Sequence, residues 1–264
     1  MRDAKAARPF PYVRTIGLVL ALAAPLPTLG AEDSSPRLPM LAASPLPPDG
    51  RYLAEDRLRF MIAHSDDQVR LRFIGSDEVF YLKSEPMPLG ARALKYDTGE
   101  IVMQVTGWGG VTLYTPDEKS GLPAELADDD IDDFDPKPIA AKDLKSFAAK
   151  LAQGLVANGD FSVGFTADWD DLSGADGQEE RPLAVDSMRN AAYALALIAK
   201  GPSHGAVAEH FHLVRVLEGM QPGLKLQEGT LTISYTPSLG PGARPSSLAI
   251  AHTLEAGFSP TPKP

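Results

Sequence analysis

The residues of this chain best suited to chemistry are a histidine cluster, scattered aspartates and one glycine-flanked tryptophan. His204, Glu209, His210 and His212 fall close together. An H-x-H pair on a strand puts both rings on one face, and His204 could add a third nitrogen, which is chemically adequate for zinc. These four are the candidate metal ligands. The competing reading is an ordinary solvated face, because Phe211 and Leu213 would point the other way. The aspartates Asp168, Asp170 and Asp171 could join the histidines in a hydrolase with paired acids, metal-dependent or not. The chain has no cysteine, which removes disulfides, thiolate nucleophiles, Cys-based zinc and iron–sulfur clusters. With no glycine-rich nucleotide loop either, no cofactor is expected.

Three further patterns match known chemistry only partly. Asp97-Thr98-Gly99 has the form of the aspartic protease triplet, in which two aspartates share a proton to activate water. Only one copy exists, and it lies where a hairpin should turn, so a plain turn is the better reading. Gly201-Pro202-Ser203-His204-Gly205 fits the nucleophile elbow G-x-S-x-G, which must follow a strand and enter a helix. Here it follows a helix, and Pro202 favours a simple helix stop. The aspartates between Asp128 and Asp135 lack the spaced Gly and Glu of an EF-hand loop, so they offer only weak divalent binding.

Gly107-Trp108-Gly109-Gly110 is different in kind. Three glycines free the backbone for a tight turn and leave Trp108 few close side chains beside it. If exposed, the ring could stack on a sugar or anchor a partner, which makes Trp108 the candidate ligand-binding residue. The favoured expectation is that the ring folds over the end of the barrel as core.

Positioning these residues requires the following elements. Residues 1–31 order a basic start, the apolar run Ile16 to Ala24 and small residues up to Ala31, as a secretory signal peptide does. Cleavage is expected after Ala31 or Gly30. The run is shorter than the roughly 17 residues a bilayer span needs, so no membrane span is expected after cleavage. Residues 32–50 are a Pro-rich spacer. Residues 51–116 read as a small all-β domain of about six short strands. Leu58, Phe60 and Ile62 alternate with Arg57, Arg59 and Met61, and Val69, Leu71 and Phe73 with Arg70, Arg72 and Ile74. The arginines mostly face water. Ala93 to Tyr96 pairs with Ile101 to Val105 across a turn closed by Gly99, with Ile101, Met103 and Val105 as the inward row. A meander curled into a barrel or a twisted sheet fits, and a sandwich is the alternative.

Residues 117–139 form an acidic linker, since a dense like-charge run is usually solvated. Residues 140–257 read as an α+β domain in the order α-β-α-β-β-α, and 258–264 as a tail. Helical spacing covers Lys142 to Ala157 and Pro182 to Ala199. Strands are expected over Phe161 to Phe165, His210 to Leu217 and Thr230 to Tyr235, with the last paired back across 220–223. A helix is nearly as good over His210 to Leu217. Ser247 caps a final helix from Leu248 to Ala256.

The segments GSDEVFYLK, KYDTGEIVMQV and GGVTLYTPDEKSGLPAE resemble a family of exported alphaproteobacterial proteins of unknown function, over about residues 51–125. The resemblance implies a bacterial, periplasmic or secreted setting and carries no activity, ligand or catalytic residue. Net charge is −10, and about −13 beyond the basic first 31 residues, which disfavours nucleic acid or an anionic lipid surface as partner. The best reading is a non-catalytic periplasmic module that binds an envelope protein or glycan. A hydrolase built on Asp168–Asp171 and the histidines is the alternative.

Overall fold

The computed structural model describes residues 46–258, apart from 66–67, 130, 132–133, 135–137, 159–160 and 175. The expected signal peptide, the spacer up to residue 45 and the tail from residue 259 lie outside the described residues. An eight-stranded antiparallel β-barrel comes first and a mixed α+β region follows.

Period-two alternation builds the barrel. Its strands are β1 (Gly50–Ala54), β2 (Leu58–Ser65), β3 (Gln68–Phe73), β4 (Phe80–Pro86), β5 (Arg92–Lys95), β6 (Ile101–Val105), β7 (Val111–Leu113) and β8 (Leu122–Asp128). They run as a meander, and β8 pairs back with β1 to close it. Closure removes the open edges that a six-strand sheet would leave. Gly50 permits it: a Cβ there would lie 2.6 Å from the Asp128 carbonyl oxygen of β8. Inward residues such as Phe60, Ile62, Leu71, Leu94, Met103 and Leu113 are buried and fill the interior. An aromatic row crosses the strands inside, with ring centroids of Tyr52 and Phe60 5.3 Å apart and of Phe80 and Tyr96 5.0 Å apart.

Three expectations for the barrel change. β8 lies inside the stretch read as acidic linker, because Leu122 and Ala124 alternate inward while the intervening and following residues are polar or exposed. The outer face of β2 is not left to water. Met61 and Ala63 are buried with Val79 and Phe134, and Ile131 packs against them. The Arg70 and Arg72 guanidinium groups lie over the Phe134 ring, 5.0 and 5.5 Å from its centroid. Apolar anchors in the acidic stretch thus hold it to the barrel, and stacking on a ring face suits arginine. Ile101 is 42 % exposed and not in the inward row, since the register shifts between Leu94 and Lys95 and the bulge buries Val102 instead.

The α+β region holds α1 (Leu144–Ala157), β9 (Gly164–Ala167), α2 (Trp169–Ser173), α3 (Arg181–Ile198), α4 (His204–His210), β10 (Leu213–Glu218), β11 (Gly223–Gln227), β12 (Thr230–Tyr235) and α5 (Ser247–Phe258). The sheet order is β11-β12-β10-β9, with β9 and β12 parallel to β10 and β11 antiparallel to β12. Leu183, Met188, Leu195 and Ile198 of α3 pack with Val214, Val216, Leu231 and Ile233 of the sheet and with Ile250 and Leu254 of α5.

Two elements depart from the expected order. His204–His210 is helical, its two Ala and its Glu favouring that state, and the strand begins only at Leu213. The partner directly before β12 is a separate strand, β11, joined to it by a tight turn in which Glu228 and Gly229 both have positive φ (48° and 73°). That backbone twist is the one two-residue hairpins need.

Candidate functional site

The triplet Asp97-Thr98-Gly99 is a turn, with Gly99 at φ 87° and its N–H donating to the Tyr96 carbonyl at 3.0 Å. The Asp97 carboxylate reaches far along the chain to the start of α5. It accepts the Ser246 backbone N–H at 2.8 Å and the Ser246 hydroxyl at 2.6 Å. Ser246 Oγ in turn accepts the Ala249 N–H at 3.2 Å, as an N-cap does. Beside it Glu78, on the β3–β4 connection, accepts the Ser247 N–H at 2.8 Å, and its other oxygen lies 2.6 Å from the Ser247 hydroxyl. Two carboxylates of the barrel therefore sit at the positive end of a helix of the α+β region.

Arg244 completes the junction. Its guanidinium donates to Asp186 of α3 at 3.2 Å and to the Val79 carbonyl of the barrel at 3.2 Å, while Arg189 holds the other Asp186 oxygen at 2.8 Å. Burial pushes the Glu78 carboxyl up to about 7; nearby Asp97 adds to the rise, while Ser247 and Arg244 oppose it. Local signals mark 238–245 as a Gly/Pro loop and 75–78 as a turn. The partners that make Glu78, Asp186 and Arg244 important lie far away in sequence, so these residues were not foreseen.

The candidate metal ligands do not converge. His204 meets the Phe161 ring edge-on, with centroids 5.1 Å apart, and His210 stacks on Phe258 at 6.1 Å. Glu209 stays 3.9 Å from His210, with both side chains well exposed. His212 lies beyond the end of α4, with its ring against Gly229. Among the described residues no group of three His, Asp or Glu side chains could hold a metal ion. Ser203 of the G-x-S-x-G match has αR backbone between two helices, so it is a helix connection and not an elbow.

The carboxylates needed by the hydrolase alternative sit at the other end of the sheet. Asp168 follows β9, whose last residue Ala167 pairs with Val216, while His212 precedes Leu213. Four to five strand residues separate them along the sheet, about 15 Å. Asp168 and Asp171, with Glu180 and Glu218, instead surround the buried Tyr235 phenol, whose pKa is raised first by burial and then by these charges. The joint carboxylate–histidine site does not form.

Trp108 is 83 % exposed, so it is not core. Its turn is tightly hydrogen-bonded: the Thr106 N–H donates to the Gly110 carbonyl at 2.8 Å, and the Gly110 N–H to Thr106 Oγ1 at 2.9 Å. A Cβ at Gly107 would stand 2.6 Å from the Leu89 carbonyl oxygen, so this turn rests on the β4–β5 connection. Leu89 there is 79 % exposed and has φ 61° and ψ 27°, a left-handed conformation that costs a non-glycine residue on the order of 1 kcal/mol. Two neighbouring turns thus hold a Trp and a Leu out from one end of the barrel. Sequence alone pointed to Trp108 and gave no reason to pair it with Leu89.

Among the described residues no helix is long and apolar enough to cross a membrane. No curated protein and no solved structure matches the chain. A family match does: residues 36–254, which take in the barrel, the junction and nearly all of the α+β region, fit the family described as a domain of unknown function, DUF4908, and the chain belongs to that family.

Proposed function

We propose that this protein is an exported, non-catalytic binding module that docks a partner protein of the bacterial envelope through Trp108 and Leu89. The observation that carries this reading is the adjacent exposure of these two large apolar side chains on backbone-locked turns. An exposed leucine beside an exposed tryptophan leaves apolar surface in water, and a protein partner removes that cost by burying both in an apolar cleft. A glycan fits less well: the ring's chain neighbours are glycines, and the Thr106 hydroxyl is already engaged with Gly110, leaving few side-chain groups to meet sugar hydroxyls. The acidic net charge argues against an anionic lipid surface. Export, and a periplasmic or secreted location in an alphaproteobacterium, rest on the order of charges and apolar residues in 1–31 and on the resemblance over 51–125.

Two measurements test this. Trp108→Ala should change folding stability by less than about 1 kcal/mol in urea melts. A photo-reactive side chain placed at Trp108 in living cells should give one dominant adduct that Leu89→Asp abolishes, and the same group at exposed Met220 should not. Equal adducts at both positions, or none at Trp108, would refute docking there. For export, cell fractionation with amino-terminal sequencing should find the chain outside the cytosol and starting near residue 32. A cytosolic protein with its first residues intact overturns that part.

A further inference from the structure

A groove of about 620 Å³ runs along the outer wall of β6 and β7 where α5 approaches the barrel. The β6–β7 hairpin tip that carries Trp108 and the β5–β6 turn beside this groove lie at opposite ends of β6, five residues and about 17 Å apart. The groove is therefore separate from the docking surface above and does not depend on it. Its size falls in the usual range for ligand sites, roughly 300–1,000 Å³.

Two aliphatic side chains face each other across the groove. The β6 bulge turns Ile101 out to 42 % exposure, and Leu248, one turn before His252 on the same face of α5, stands opposite. Tyr96 contributes little ring face, being only 9 % exposed, and the Tyr114 hydroxyl donates to Gln104 Oε1 at 3.1 Å. That bond orients Gln104 and leaves its amide N–H groups to donate. Glu100 and Lys119 put opposite charges on the lining, and Lys119 holds no ion pair among the described residues. Because Asp97 and Glu78 cap α5 from the barrel, both walls are fixed before anything binds.

We infer that this groove binds a short peptide, taking one large apolar side chain against Ile101 and Leu248 and an adjacent main-chain carbonyl on Gln104. The paired charges favour a chain that carries both signs near that side chain, and they disfavour a fatty acid or a polyanion. A sugar ring would have only the half-buried Tyr114 ring to stack on, and Gly121 already packs closely against that ring.

The test is an NMR titration of the full chain, with isoleucine and leucine methyls labelled. The probes are acetylated, amidated tripeptides of the form Lys-Xaa-Glu and Glu-Xaa-Lys, with Leu, Ile, Phe or Ala at the centre, and maltotriose and decanoate in parallel. The expected result is saturable shifts at the Ile101 and Leu248 methyls, with an Ala centre about tenfold weaker than Leu or Phe. Ile101→Lys, at an exposed position, should lose about tenfold in affinity, while Trp108→Ala should bind as the parent does. The inference is overturned if no tripeptide saturates these methyls up to millimolar concentration. It is equally overturned if maltotriose or decanoate saturates them in place of the tripeptides, or if Ile101→Lys binds unchanged.

Discussion

Replacing Arg244 by Met is expected to cost about 3 kcal/mol of folding stability, measured by urea denaturation. The Arg244 side chain is 3 % exposed and the Asp186 side chain 10 %. Removing the guanidinium leaves a buried carboxylate with one cation, Arg189, and leaves the Val79 carbonyl without the donor it has now. The cost falls at the lower end of the range for broken buried pairs because Arg189 still neutralises Asp186. Arg244→Lys should also destabilise, since a single ammonium cannot reach both Asp186 and the Val79 carbonyl as the planar fork does. Adding Asp186→Asn to Arg244→Met should cost further stability and not restore it, because Arg189, whose side chain is 12 % exposed, then loses its carboxylate partner. A loss below about 1 kcal/mol for Arg244→Met would mean that this junction does not hold the barrel to α3.

The second large effect is a pH dependence centred on Glu78. Its carboxyl has an ordinary value near 4.5 and is pushed up to about 7 in the folded chain, with burial as the main cause. Between those two values the folded protein keeps a proton that the unfolded chain has released. The stabilising contribution is therefore fully present below pH 4.5 and is lost as pH rises toward 7, a fall of about 3 kcal/mol. The groups facing Glu78 are Ser247, Arg244 and Asp97, and its charge is also felt by the Tyr96 and Tyr193 phenols. Glu78→Gln cannot titrate, so its stability relative to the parent should climb by about 3 kcal/mol between pH 4.5 and 8. Parallel stability curves for the two proteins over that range would show that Glu78 titrates alike in the folded and unfolded chains.

Much of the architecture was legible because its signals are local. Alternation in Leu58–Phe60–Ile62 and Val69–Leu71–Phe73 marks strands whichever partners they find, and the spacing of Leu144, Leu151 and Leu155 marks a helix. Gly99 marks the hairpin turn because few other residues adopt its φ. The absence of cysteine closed off whole classes of chemistry from composition alone.

What the tertiary structure decided was partnership. Leu122 and Ala124 become a barrel strand only because β1, some seventy residues earlier, is there to pair with them. Acidic charge in the same stretch hid that alternation. Ile101 leaves the inward row because of a register shift that no local pattern encodes. Asp97 looks like a turn residue, or a protease triplet, until Ser246 arrives 149 positions later to be capped. Trp108 would suit a core as well as a surface, since its three glycine neighbours permit either. Its exposure shows only in the tertiary structure, where Gly107 lies against the Leu89 carbonyl and the pairing of β5 with β6 sets the two turns side by side.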